Sequence, residues 1–318
     1  MISFIIRRLI SALVVLLILT LIIFCVVRVL PGDPVDLYIS RAEVTQLSPE
    51  QVDLIRHEFG LDKPVYIQYL DWLGNVVKGD LGKSYFLQEK VTTVIGERLP
   101  ITMYLGIISI LISCILGVTF GVICAVRRGK RIDDFLSVLA NIGLTSPTFW
   151  VGIILIYLLS LKLHWLPAFG YTSPLDNFGL STKQLVMPVF CLSITAVAVL
   201  TRQTRSSMLE VLRLDYMRTA YSKGLSERTV VIKHSLKNAF IPIITTIGMQ
   251  VRNMFGGVVL IETVFNIPGM GRLMIDGVLG QDFMIVQGGI LIIGMCILLV
   301  NLIVDISYGW FDPRIRYN

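Results

Sequence analysis

A chain of 318 residues with 54% hydrophobic and only 16% charged residues is too apolar for an ordinary water-soluble domain, and its mean hydropathy of +0.75 says the same. The formal net charge of +6 sits between apolar runs, as membrane topology requires, and calls for no nucleic-acid partner. Cys25, Cys114, Cys124, Cys191 and Cys296 stand singly, without metal-ligand or redox spacing, and read as apolar packing residues.

Arg7 and Arg8 open the chain ahead of the apolar run Leu9–Val27. At about 1.5 Å per residue this run crosses a hydrocarbon core of about 30 Å. It leaves through Arg28 into Leu30-Pro31-Gly32-Asp33-Pro34 with no small-x-small cleavage pattern, which predicts a retained signal anchor. Similar runs at Ile101–Val126, Phe135–Leu161, Leu185–Thr201, Phe240–Ile261 and Ile285–Ile306 bring the expectation to six spans. Pro147 and Pro188 interrupt two of them.

The loop after the first span is organised. Ser48-Pro49-Glu50-Gln51 predicts a helix start, with Ser48 as N-cap, Pro49 in the first position and Gln51 completing a capping box. Val52, Ile55 and Phe59 then share a face, and Gly60 ends the helix. A second start at Lys63-Pro64 leads into Val65, Tyr69, Trp72 and Val76, again at helical spacing, up to Gly79-Asp80-Leu81-Gly82. Two short amphipathic helices need a surface, supplied by the protein's own spans or by a docking partner. Gly82-Lys83-Ser84 resembles the end of a phosphate-binding loop, but Val77 stands where the earlier glycine belongs, so it is a chance match.

In the second span, Ser113, Gly117, Gly121 and Ala125 recur every four residues and predict close approach of a neighbouring helix, within the subunit or across a dimer. Between the fourth and fifth spans lies a polar island, Asp215 to Pro242. Leu209 to Ser222 can form a helix with Leu209, Leu212, Tyr216 and Thr219 or Ala220 along one side. Gly224 stops it, and Ser226-Glu227-Arg228 starts a second helix bearing Val230, Val231 and His234. A helix, a glycine turn and a second helix make a rigid knob whose basic residues can pair with acidic groups on a soluble partner.

Charges inside spans are costly and are functional candidates. Arg252 and Asn253 lie halfway along the fifth span, followed by Gly256-Gly257, with Glu262 near its outer end and Asp305 toward the inner end of the sixth. Arg252 faces a water-filled path, pairs with Glu262 or Asp305, or snorkels to water; ten residues, about 15 Å of helix, separate it from Glu262. Glu262 lines an outer vestibule or makes local capping and hydrogen bonds. The translocation-pathway candidates are therefore Arg252, Asn253, Gly256 and Glu262. The three histidines, His57, His164 and His234, form no H-E-x-x-H pattern, and no G-x-S-x-G elbow occurs, so no catalytic or metal site is assembled.

The basic residues set the orientation. Placing Arg7/Arg8, Arg127 to Arg131, Arg202 to Lys237 and Arg314/Arg316 in the cytoplasm leaves little basic charge in the short outer loops, with Lys183 in one and Arg272 in another. The Val29–Arg98 loop carries several lysines and arginines, but long loops translocate largely regardless of charge, so both termini are expected inside.

Several separated motifs then converge. Tyr216-Met217-Arg218-Thr219-Ala220-Tyr221-Ser222-Lys223-Gly224-Leu225, with His234, Leu236, Asn238-Ala239 and Pro242, resembles the cytoplasmic coupling motif of ABC importer permeases of the dipeptide/oligopeptide/nickel family. Leu30 to Pro34, Phe59 to Pro64, Gly79 to Gly82, Glu262-Thr263-Val264-Phe265 with Pro268-Gly269-Met270-Gly271, and Asp312 to Tyr317 extend the likeness over nearly the whole chain. Arg218 and Thr219 replace the glutamate and alanine of the general importer motif, and Lys237 its later proline, a pattern similar to the peptide subfamily.

The resemblance implies an all-α polytopic membrane protein of six transmembrane helices, of the type I importer permease kind, in a bacterial or archaeal plasma membrane. It divides into a first helix at 1–30, an extracytoplasmic loop at 31–98, and a five-helix core at 99–318 with a coupling loop at about 202–239. It implies a homologous permease subunit, two cytoplasmic ATPase subunits that hold ATP and Mg, and an extracytoplasmic substrate-binding protein, with no cofactor in this chain. Tyr216, Arg218, Thr219, Ala220, Lys223, Gly224 and Leu225 are the coupling residues it implies, and a di- or oligopeptide the cargo. A nickel or metallophore permease is the alternative within the family. A channel or ion-coupled transporter, which would need no such knob, is the alternative outside it.

Overall fold

A computed structural model of the chain describes residues 2–29, 35, 39, 48–58, 61–84 and 86–311. The expected turn at 30–34, Phe59-Gly60 and the tail motif at 312–317 lie outside the described residues. Among those described the protein is helical, with a single isolated antiparallel bridge between Lys83 and Lys90. In order come α1 (Ile2–Val29), α2 (Pro49–Glu58), α3 (Val65–Val77), α4 (Val91–Val126), α5 (Arg131–Thr145) and α6 (Thr148–Leu155). A π-helical turn, Ile156–Lys162, continues α6. Then follow α7 (Phe178–Leu212), α8 (Asp215–Ser222), α9 (Glu227–Thr229) with a second π-helical stretch at Val230–Leu236, α10 (Lys237–Val264), α11 (Met270–Leu279) and α12 (Phe283–Phe311).

Among the described residues five helices are long and apolar enough to cross a membrane, or six when the bent pair α5–α6 counts as one span. The expected third span, Phe135–Leu161, is thus not a straight helix: it turns by 102° between α5 and α6. Proline chemistry explains the break. Ser146, ahead of Pro147, is driven to extended geometry (φ −79°, ψ 124°); its N–H still bonds back to Ile142 O at 3.0 Å, and the Gly143 carbonyl, which Pro147 has no N–H to serve, accepts from the Thr195 hydroxyl of α7 at 3.3 Å. Pro188, by contrast, lies within an uninterrupted α7, as Pro100 and Pro242 do within α4 and α10. Membrane helices tolerate such prolines where neighbours satisfy the freed carbonyls.

The chain forms two compact units. One comprises residues 6–101 and 269–298. Its core gathers Ile23 and Val27 of α1, Leu81, Val91, Val94 and Ile95 around α4's start, Met270 and Leu273 of α11, and Phe283, Val286 and Leu291 of α12. The capping box forms as predicted: Gln51 N–H donates to Ser48 Oγ at 3.4 Å, and Ser48 N–H to Gln51 Oε1 at 2.9 Å. Tyr69 and Trp72 of α3 pack on Phe24 of α1, with ring centroids 5.4 and 6.0 Å away, so this amphipathic helix rests on the protein's own first span. The Gly82-Lys83-Ser84 segment has a structural task. Its hairpin closes through Val91 N–H to Gly82 O at 3.0 Å, and the buried Asp282 carboxylate accepts from the Ser84 hydroxyl and from Phe86 N–H at 3.1 Å.

The other unit comprises residues 1–5, 102–268 and 299–318. Here the small stripe of α4 meets α7 of the same subunit. A Cβ on Gly117 would stand 2.6 Å from Leu200 Cβ, and one on Gly121 2.4 Å from Thr204 Cβ. Ser113 and Ser193 lace the same contact, donating to Ser193 O at 3.3 Å and Ser109 O at 3.1 Å. Of the two packings that the stripe allowed, the one within the subunit is realised.

Candidate functional site

The knob is built from α7's end to α10's start. The expected continuous helix from Leu209 to Ser222 is instead two helices: α7 stops at Leu212, Leu214 is extended (ψ 147°), and α8 restarts at Asp215. The restart rotates the amphipathic face. Met217 and Ala220 are buried and pack with Val230, Val211 and Leu212, while Tyr216 and Thr219 point outward. Ala220 is therefore small because α8 lies close against the returning chain. Val231, Ala239 and Ile243 carry that return onto Ala125 of α4 and Met208 of α7.

Gly224 adopts φ +74°, and a Cβ there would meet nothing within 4 Å. The turn needs glycine for backbone geometry, with no demand for space. Ser226 then caps α9, its carbonyl taking Val230 N–H at 3.1 Å and its hydroxyl 2.9 Å from that of Thr229. The π-helical stretch over Val230–Leu236 widens the returning helix just before the apolar run that begins at Phe240, a distortion common at functional sites.

On the outer surface of this scaffold stand Tyr216, Arg218, Thr219, Lys223 and Leu225, all exposed. Arg218 has its side chain 81% exposed and lies 3.6 Å from Asp215, which is barer still at 95%. Tyr216 is held in place, its hydroxyl accepting from Asn238 Nδ2 at 3.1 Å while Asn238 also donates to His234 O at 2.8 Å. The surface thus offers an aromatic ring, an aliphatic side chain and two cations on a well-packed base. It can dock and transmit displacement, and it holds no nucleophile–base pair.

The four pathway candidates divide. Arg252, Asn253 and Gly256 lie together on an exposed face of α10 with Thr245, Met249 and Leu260. A Cβ on Gly256 would meet nothing within 4 Å. Glu262 is on another side of the helix, fully buried, accepting from the Thr102 hydroxyl of α4 at 2.5 Å. The structure therefore does not bring Glu262 to the face of Arg252, and it excludes their direct pairing.

Two further features join helices far apart in the sequence. Asp133 of α5 is buried and takes a two-pronged bond from Arg205 of α7, Nε and Nη2 each at 2.8 Å, with Gly129 N–H adding a third at 3.0 Å. Its neighbour is a polar cavity of about 840 Å³ lined by Asn141, Arg202, Gln203, Arg205, Glu210 and Arg213, ending at the residue that closes α7 just before the knob. The signal in the sequence is a carboxylate two residues after the Arg127–Arg131 cluster and an arginine four residues after the fourth span ends at Thr201.

Comparison with known proteins agrees with this architecture. Residues 117–317 match the family described as binding-protein-dependent transport system inner membrane component, and residues 1–106 match its N-terminal component. A peptide permease protein of Brucella suis biovar 1 is 41% identical over 320 residues, covering 99% of both chains. The di/tripeptide transport system permease protein DppB of Pseudomonas aeruginosa is 39% identical, covering 100% of this chain and 99% of its own. Among solved structures, the inward-facing MetNI methionine ABC transporter matches with a TM-score of 0.57 at 15% identity, over 69% of this chain and 96% of that one, a likeness of fold. The chain belongs to the inner-membrane components of binding-protein-dependent transport systems, as a multi-pass transport subunit with the type I ABC importer permease fold.

Proposed function

We propose that this chain is one of two permease subunits of an ATP-driven importer of di- and oligopeptides. It pairs with a homologous permease, receives peptide from an extracytoplasmic binding protein, and is driven by two cytoplasmic ATPases that carry ATP and Mg. The peptide assignment is supported by identities of 39–41% over full length to chains named for peptide transport. Both termini lie in the cytoplasm, a reading supported by the basic residues at 7–8, 127–131 and 202–237.

The observation that carries the reading is the two-sided knob: Met217 and Ala220 anchor α8 inward while Tyr216, Arg218, Thr219, Lys223 and Leu225 stand bare outside. ATP binding closes the ATPases on that outer side, and the packed base passes the displacement into α7 and α10, biasing two states of the spans. Arg252, Asn253 and Gly256 form the polar stripe along which peptide passes, and Glu262 holds α10 to α4 beside it.

Gly224→Pro tests this. Proline fixes φ near −65°, opposite in sign to the +74° required. The variant is expected to insert and to bind its partner permease, yet to lose peptide uptake in cells or proteoliposomes. Normal uptake would sink the coupling assignment. Uptake of a nickel chelate in place of peptide by the unmutated complex would move the cargo.

A further inference from the structure

We infer that α3 is an interfacial helix seated in the lipid leaflet at the C-terminal end of α1, with Tyr66, Leu70 and Val77 in contact with acyl chains. The inference rests on α1 crossing the bilayer and is independent of the cargo.

The depth of α3 comes first. Tyr69 hydroxyl lies 3.1 Å from Thr20 Oγ1, and its ring stacks edge-on against Phe24. Thr20 is nine residues before the end of α1 at Val29, about 13 Å down the helix axis. A helix whose side chain reaches that level lies within the leaflet's outer portion, the depth at which amphipathic helices rest in membranes.

The sidedness of α3 comes second. Tyr69, Trp72 and Val76 face the protein, and Val76 packs onto the core around Ile23 and Val27. Thr20 and Phe24 are buried, whereas Leu17 and Leu21, the next positions around α1, are exposed at 46% and 49%. So α3 lies along the seam between α1's packed side and its lipid-facing side.

The composition of its free face is third. Tyr66, Leu70 and Val77 are exposed at 68%, 60% and 81%. At 100° per residue they fall within about 40° of one another, beside the packed face. The polar residues take the remaining arc, where Asp71 pairs with Lys63 at 2.7 Å. An apolar arc that runs from the packed face onto a bare one is continuous with the lipid-facing surface of α1. The Tyr66, Tyr69 and Trp72 rings are the type enriched at membrane–water interfaces.

The test uses the full-length chain in its assembled complex, with the five native cysteines replaced and uptake verified. Leu70→Cys and Tyr66→Cys are labelled with an environment-sensitive fluorophore and compared with Asn75→Cys on the polar arc. The complex sits in vesicles of phosphatidylethanolamine and phosphatidylglycerol, with or without lipids carrying a nitroxide high on the acyl chain. The seat predicts blue-shifted emission at 66 and 70, and nitroxide quenching at least about twofold stronger than at 75. Iodide quenching at 70 equal to that at 75, without nitroxide quenching, would overturn it. Blue-shifted emission that neither quencher reaches would also overturn it, and would assign the face to a protein partner.

Discussion

Gly224 and Asp133 are single residues that hold the knob and the helix beneath it, for different reasons. At Gly224 the constraint is the sign of φ alone, because a methyl group there would touch nothing. Gly224→Ala is therefore expected to loosen the turn by about 1 kcal/mol. Amide exchange across 215–225 would quicken roughly fivefold while the global melting temperature holds, and Gly224→Asn would fall between the two. At Asp133 the constraint is charge. Removing its carboxylate leaves Arg205 and Gly129 N–H without the oxygens they now share. Asp133→Ala is expected to cost about 2–3 kcal/mol, less than a fully buried pair would because Arg205 is partly exposed. A lowered melting temperature in detergent, only partly restored by Asp133→Asn, would be the readout.

Among elements, the α4–α7 contact is set by what its residues lack. Gly117 and Gly121 let Leu200 and Thr204 approach to distances no side chain would allow. Gly121→Leu is expected to force the helices apart at a cost of about 1–3 kcal/mol or more, lowering both the melting temperature and the amount of folded protein in membranes. Gly256→Ala, with open space at its Cβ, is expected to leave the stability of the isolated subunit unchanged. Equal losses in the two variants would mean that the stripe does not carry the packing. The stripe was legible because a four-residue period is local information. The site of the sharp bend was marked by Pro147, but its sharpness was not: Pro188, the same residue type in a similar run, leaves α7 unbroken. The difference shows at the residue before each proline: Ser146 is extended, whereas Met187 is buried and stays helical.

For the whole molecule, the proposed coupling makes transport depend on a surface that this chain presents and a partner must meet. Arg218 and Lys223 supply its positive charge, and both are exposed. Reversing both, as Arg218→Glu with Lys223→Glu, is expected to leave insertion and melting temperature intact. Peptide uptake should fall about tenfold or more, corresponding to a loss of about 1.4 kcal/mol in partner contact. Full uptake in that variant would remove charge from the account of coupling.

The linear order of residues determined the membrane character, the positions of the five unbroken spans, the Ser48–Gln51 capping box, the small stripe, the glycine turn and the family, since each rests on composition or on spacings of a few residues. It did not determine that Met217 rather than Tyr216 faces inward, because that follows from where α7 stops and how α8 is reset against Val230. Nor did it join Asp133 to Arg205, 72 residues apart, Glu262 to Thr102, 160 apart, or Asp282 to Ser84, 198 apart. Local preferences fix the period of a helix at little entropic cost. Which side of it meets another is decided only when chain segments far apart are brought together, and that is work of the tertiary structure.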